Sequence, residues 1–110
     1  MPILRRSAIG VIELHGTIGA GIRSAAYYQI LDRVERSPRI GAVLLDIDSP
    51  GGAATASEDI YFKVMRLRQK KPVVAFIRGA GASGAYMVAC AATKIIALPG
   101  AMVGSIGVIS

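Results

Sequence analysis

Four short apolar runs alternating with helical stretches constrain the fold of this chain more than any other feature. Ala8 to Leu14, Ile40 to Ile47, Val73 to Ile77 and Lys94 to Leu98 are rich in valine, isoleucine and leucine, as strands buried on both faces are. Between them, Tyr27, Ile30, Leu31 and Val34 recur on one face of a helix from about Ser24 to Ser37, with Asp32 and Arg36 paired on its wet side. Ile60, Val64 and Leu67 form the core stripe of a second helix, and Ala85 to Ala92 reads as a third, built of small residues. The order is βαβαβαβ. Right-handed crossovers then imply an α/β fold with a parallel sheet, expected to be covered by helices on both faces.

The punctuation agrees with this order. Pro38 stops the first helix and Pro72 the second. Gly16, Gly19 and Gly21 mark a loop after the first strand, Asp48-Ser49-Pro50-Gly51-Gly52 a sharp turn after the second, and Gly79 to Gly84 a glycine-rich loop after the third. Thr55-Ala56-Ser57-Glu58 matches a capping box, Asp59 adds charge at the positive helix end, and Arg66, Arg68, Lys70 and Lys71 crowd the negative end.

Composition narrows the class. A chain of 110 residues with 53% apolar and 18% charged content suits one globular domain or part of one, and excludes disorder. Cys90 has no partner for a disulfide and is expected in inert core; the absence of asparagine removes any N-linked glycan site. The net charge of +6 is spread through helical stretches apart from the pairs Arg5, Arg6 and Lys70, Lys71, which favours solubility over nucleic-acid binding. Glu13 cuts the apolar run after Arg6, so the start reads as a strand and not a signal peptide. From Gly79 to Ser110 only Lys94 is charged, but it divides the stretch into pieces shorter than the ~20 residues a spanning helix needs. Buried core is the expectation there.

Strand C-terminal ends share one edge of a parallel sheet, so His15, the Asp48 to Gly52 turn and the Arg78 to Gly84 loop are expected at one crevice. Gly81-Ala82-Ser83-Gly84-Ala85 follows a strand and opens a helix, a setting that holds a serine exposed beside helix-N-terminal amides. Ser83 is therefore a candidate nucleophile, with plain helix capping as the competing role. Acyl transfer needs two backbone donors at the developing oxyanion, and Gly52 and Gly84 are placed to supply them. His15 precedes Ser83, which excludes the chain order of an α/β-hydrolase triad. As a base His15 is admissible by its intrinsic pKa, although strand-end histidines are commonly solvated. Asp46 and Asp48 have no His, Cys or Glu beside them in sequence, so no metal site and no cofactor are expected.

Three blocks in order, Asp48-Ser49-Pro50-Gly51-Gly52, Gly81-Ala82-Ser83-Gly84-Ala85-Tyr86 and Gly104-Ser105-Ile106-Gly107-Val108, resemble signal peptide peptidase A, the protease IV type of serine peptidase. The resemblance runs from about Ala8 to Ser110. It implies the ClpP/crotonase fold, Ser83 as nucleophile, the Gly52 and Gly84 amides as oxyanion hole, and no cofactor. It further implies peptide substrates such as cleaved signal peptides, assembly into a homo-oligomeric ring, and anchoring in the cytoplasmic membrane through sequence absent here. Two features depart from the pattern: Ala85 stands where the family usually has glycine, and the family's general base is a lysine beyond the last residue of this chain. Lys63, Lys70, Lys71 and Lys94 are not expected to reach Ser83. Residues 1–110 are thus expected to form the nucleophile-bearing N-terminal portion of a single, incomplete domain, hydrolytically weak alone. A catalytically silent fragment or assembly module is the alternative; a coenzyme A-binding crotonase relative, which would lack the serine block, ranks third.

Overall fold

The computed structural model describes residues 8–20 and 22–104. The elements are β1 (Ala8–His15), α1 (Ser24–Arg36), β2 (Ile40–Ser49), α2 (Ala54–Arg68), β3 (Val73–Ala82), α3 (Gly84–Cys90), β4 (Lys94–Ala97) and β5 (Met102–Gly104). The strands form one parallel sheet in the order β1-β2-β3-β4, and β5 continues alongside β3 past the end of β4. Every step of this order moves the same way, so right-handed crossovers put all three helices on one face.

Register then determines the core. Ile12 lies opposite Leu45 and Leu45 opposite Ala75; Leu14, Ile47 and Ile77 form the next row. All six are buried against the helices, with Ile60, Val64 and Leu67 of α2 and Val88 of α3 facing them. Among the described residues the other face carries no helix, and Ile9 and Val11 there are 66% and 59% exposed. The expectation of a sheet covered on both faces is corrected accordingly: an order that never reverses direction leaves one face open.

Other local readings also change. Gly79 to Ala82 belong to β3 and not to a loop. Gly79 allows the Asp48 carboxylate to come within 2.7 Å of where its Cβ would stand, and Asp48 Oδ1 accepts the Ala80 amide at 3.0 Å. α2 is capped at Ala53 without a side-chain bond; Ser57 Oγ donates back to the Ala53 carbonyl at 2.8 Å, so Thr55-Ala56-Ser57-Glu58 is no capping box. Asp32 bonds Lys63 of α2 at 2.6 Å instead of Arg36, and Glu35 takes Arg66 and Lys70 at 3.3 and 2.8 Å, which joins α1 to α2. Cys90 and all of β4 are exposed, so the stretch after Gly79 is core only in part, through residues such as Ala85 and Ala89. Arg5, Arg6, Gly21 and Ser105 to Val108 lie outside the described residues. Among the described residues no helix is long and apolar enough to cross a membrane.

Candidate active site

The turn after β2 is organised from beneath by Ser49, which is fully buried and accepts the Gly51 amide on Oγ at 3.1 Å. Gly51 has φ of +101°, and a Cβ there would stand 2.8 Å from Ser83 Cβ and 2.9 Å from the Gly84 nitrogen. The absence of a side chain thus brings the turn against the Ser83–Gly84 peptide. On its other side the turn is gripped by Ile18: the Ile18 amide donates to the Gly51 carbonyl at 2.8 Å, and the Ile18 carbonyl accepts the Ala53 amide at 2.9 Å.

Ser83 joins β3 to α3 at φ +55° and ψ −124°, the only positive φ outside glycine among the described residues. Such a backbone is held by its surroundings. The Ser83 amide donates to the Gly104 carbonyl at 2.7 Å, and the Ser83 carbonyl accepts the Met87 amide at 3.1 Å. Its hydroxyl makes no capping bond although the residue occupies the N-cap position, so capping does not account for a serine here. Gly84 packs on Ser57, whose Oγ would lie 2.1 Å from a Cβ at Gly84.

These pieces enclose a cavity of about 330 Å³ lined by Gly52, Ser83 and Gly84 with Ala54, Glu58 and Met87. That volume is near the small end for ligand sites, suiting a side chain and a reacting carbonyl better than a dinucleotide. Turn and loop bonds among the described residues occupy the amides of Gly51, Ala53 and Ser83 but not those of Gly52 and Gly84. Ser83, an exposed residue, and Gly52 and Gly84, whose amides make no turn or loop bond among the described residues, therefore line the same cavity.

His15 is elsewhere. It ends β1 on the open face, with Nε2 3.6 Å from Asp46 Oδ2, and does not line the cavity. Of the three segments expected at one crevice, the turn and the serine loop meet and the histidine does not. Glu13, His15 and Asp46 bring ligand atoms within 4.8 Å of one another, which corrects the expectation that no Glu or His joins Asp46. The cause is register, since Glu13 and Asp46 are paired across β1 and β2. A cation there would have to displace Arg78, which donates to both Asp46 oxygens at 3.2 and 3.0 Å, so the cluster is read as an ion-pair network.

The Arg78 hydrogen bonds hold the Asp46 carboxyl below its ordinary pKa against the opposing effect of burial, and the charges of Arg78 and His15 act the same way. A depressed carboxylate pKa means the unfolded chain binds more protons near pH 4, so this stabilisation is complete above that range and is lost as pH falls through the folded pKa. Urea midpoints measured from pH 7 down to pH 3 should fall more steeply for the unaltered protein than for Asp46→Asn, which starts lower. Parallel acid limbs would remove Asp46 from the account.

None of the lysines lines the cavity. Lys63 and Lys70 are bound to Asp32 and Glu35, Lys71 donates to the Val34 and Ser37 carbonyls, and Lys94 starts β4 at the opposite end of the sheet.

Residues 65–110 match the model of Peptidase family S49. A Methanocaldococcus jannaschii protein named a protease by inference is 47% identical over 87 residues, 78% of this chain and 28% of its own length. A Brucella abortus protein named Na(+)/H(+) antiporter NhaA is 39% identical over 111 residues, 93% of this chain and 15% of its own. Protease 4 of Salmonella typhi is 36% identical over 97 residues, 87% of this chain and 15% of its own. The chain thus spans less than a third of each of these relatives. Among solved structures, the 1510-N membrane protease specific for a stomatin homolog from Pyrococcus horikoshii aligns with a TM-score of 0.68 at 23% identity, over 88% of this chain and 48% of that one. A ClpP1 variant from Listeria monocytogenes aligns with a TM-score of 0.65 at 22% identity, over 74% and 46%. The fold is ClpP-like, residues 65–110 match the model of Peptidase family S49, and the chain is similar in sequence to protease 4 and other proteins named as proteases.

Proposed function

We propose that this chain supplies the nucleophile and oxyanion hole of a serine endopeptidase of the signal peptide peptidase A type. The observation that carries the reading is that Ser83, Gly52 and Gly84 line one cavity while the Gly52 and Gly84 amides make no turn or loop bond among the described residues. Ser83 Oγ bonds to the substrate carbonyl carbon as its proton passes to a base, and the two amides take the negative charge that develops on the carbonyl oxygen. Collapse breaks the C–N bond, the amine leaves with a proton, and water then releases the acyl group from Ser83. The resemblance supplies the base as a lysine outside the described residues, neutral near pH 7 when desolvated. Apolar peptides, including cleaved signal peptides, are the substrate class, bound extended beside the crevice.

A second reading, a silent assembly module, is favoured by the lack of any lysine or histidine in the cavity lining. A fluorophosphonate probe separates the two, because it requires an activated serine. The full-length protein should label at Ser83, mapped by peptide mass, with protection by an apolar peptide. The 110-residue chain should label slower by about 10²-fold or more, the usual contribution of a general base. Absence of Ser83 labelling in the full-length protein would leave the silent module standing.

A further inference from the structure

We infer that Glu58 makes the cavity beside Ser83 selective for a peptide side chain with an aliphatic stem and a cationic head, that is, lysine or arginine. The inference rests on the peptidase reading above and adds to it a residue that sets specificity at the single position before the cleaved bond, the flanking positions of the peptide remaining apolar. Glu58 belongs to the second turn of α2 and lines the cavity that Ser83 borders. Most acidic residues of the described chain are already engaged: Asp32, Glu35 and Asp46 in ion pairs, Asp48 with the Ala80 amide, and Asp59 with Tyr28. Glu58 has no ion-pair or hydrogen-bond partner among the described residues, and it is exposed at the cavity rather than folded onto a neighbour.

The rest of the lining explains why a long cationic side chain fits better than a small cation. Ala54 and Met87 present apolar walls, and Gly52 and Gly84 present backbone without side chains. Ser57 is buried, with its hydroxyl spent on the Ala53 carbonyl, so it offers the ligand no free donor. Methylenes can lie along Ala54 and Met87 while the charged head remains with the one carboxylate and with water, the arrangement that lysine and arginine favour. A purely apolar side chain would fill the same walls but leave Glu58 partly desolvated and unpaired, which is costly. Discrimination would then come from the carboxylate and not from the shape of the cavity.

The test uses the full-length protein and peptides that differ only in the residue before the cleaved bond: Lys, Arg, Leu or Glu. A hydrogen-bonded charge pair at a half-open site supports about a tenfold preference. Lys and Arg peptides should exceed the Leu peptide in kcat/KM by about that factor, and Glu58→Gln should abolish the preference, lowering the Lys and Arg values and raising the Leu value as the cost of desolvating the carboxylate disappears. Glu58→Lys should transfer the preference to the Glu peptide, and Glu58→Asp should retain part of the original. High salt should weaken the preference in the unaltered protein. Binding of the same peptides to Ser83→Ala, followed by fluorescence anisotropy, separates the two levels of the proposal. Charge-selective binding lost in Glu58→Gln, with no turnover of any peptide by the unaltered protein, would uphold the Glu58 assignment and overturn the peptidase reading. Turnover with the same Lys-to-Leu ratio in the unaltered protein and Glu58→Gln would overturn the Glu58 assignment alone.

Discussion

Ser83→Ala in the full-length protein is expected to lower kcat/KM for peptide hydrolysis by about 10⁴-fold or more, as removal of a serine nucleophile does in other peptidases. Stability should hardly change. Ser83 is exposed and its hydroxyl makes no capping bond, so its loss should cost no more than an ordinary surface substitution, about 0.5 kcal/mol. The combination is the informative part: a capping serine would show the reverse, with activity retained and a loss of about 1 kcal/mol. Rates on an apolar peptide and thermal midpoints, measured on the same preparations, distinguish the outcomes. Retention of a tenth of the activity would remove Ser83 from the chemistry.

Gly52→Ala should produce the largest loss of stability among the glycine substitutions at the site. A Cβ there would stand 2.1 Å from the Ile18 carbonyl oxygen and 2.8 Å from its nitrogen, both backbone atoms, at φ +151°. Side chains can rotate away from a collision; the Ile18 backbone is held by its bonds to Gly51 and Ala53 and cannot do so without opening the turn. A cost of about 3 kcal/mol or more follows, equivalent to a fall of about 10 °C or more in Tm for a domain of this size. Gly100→Ala is the matched control. Its φ of +91° is also positive and strained for a side chain, but no described residue lies within 4 Å of the added carbon, so about 1 kcal/mol is expected. Equal losses for the two variants would mean that the turn and Ile18 do not meet as described.

Much of the arrangement was legible before any coordinates, because it is written in residues with few alternative uses. Consecutive glycines after Ser49-Pro50 demand a turn, and a serine between Gly81 and Gly84 at a strand-helix junction demands an unusual backbone; the two meet through Gly51. What was hidden depends on pairing. Ile9 and Val11 read as core because β-branched residues suit a strand whether or not its outer face is covered, and only the unreversed strand order leaves them exposed. Glu13, His15 and Asp46 are distant in sequence and converge through the β1–β2 register. β5 escaped notice because three residues after Pro99 and Gly100 are too few to show a period. Thr55 and Glu58 stand at capping-box spacing, but α2 already begins at Ala54 with Ala53 as its N-cap, a start that no residue type signals.

The bond from the Ser83 amide to the Gly104 carbonyl has a consequence in time as well as in space. During vectorial synthesis the serine leaves the ribosome 21 residues before its acceptor, Gly104, does. β1 to β4 can pair as soon as Ala97 is free, but Ser83 lacks its outer brace until Met102–Gly104 docks beside Ala80–Ala82. Bracing of Ser83 therefore follows the pairing of β1 to β4, and on the peptidase reading a nascent chain halted between the two stages would be folded yet chemically idle. Exchange of the Ser83 amide proton reads this docking directly, since its protection begins when β5 is in place.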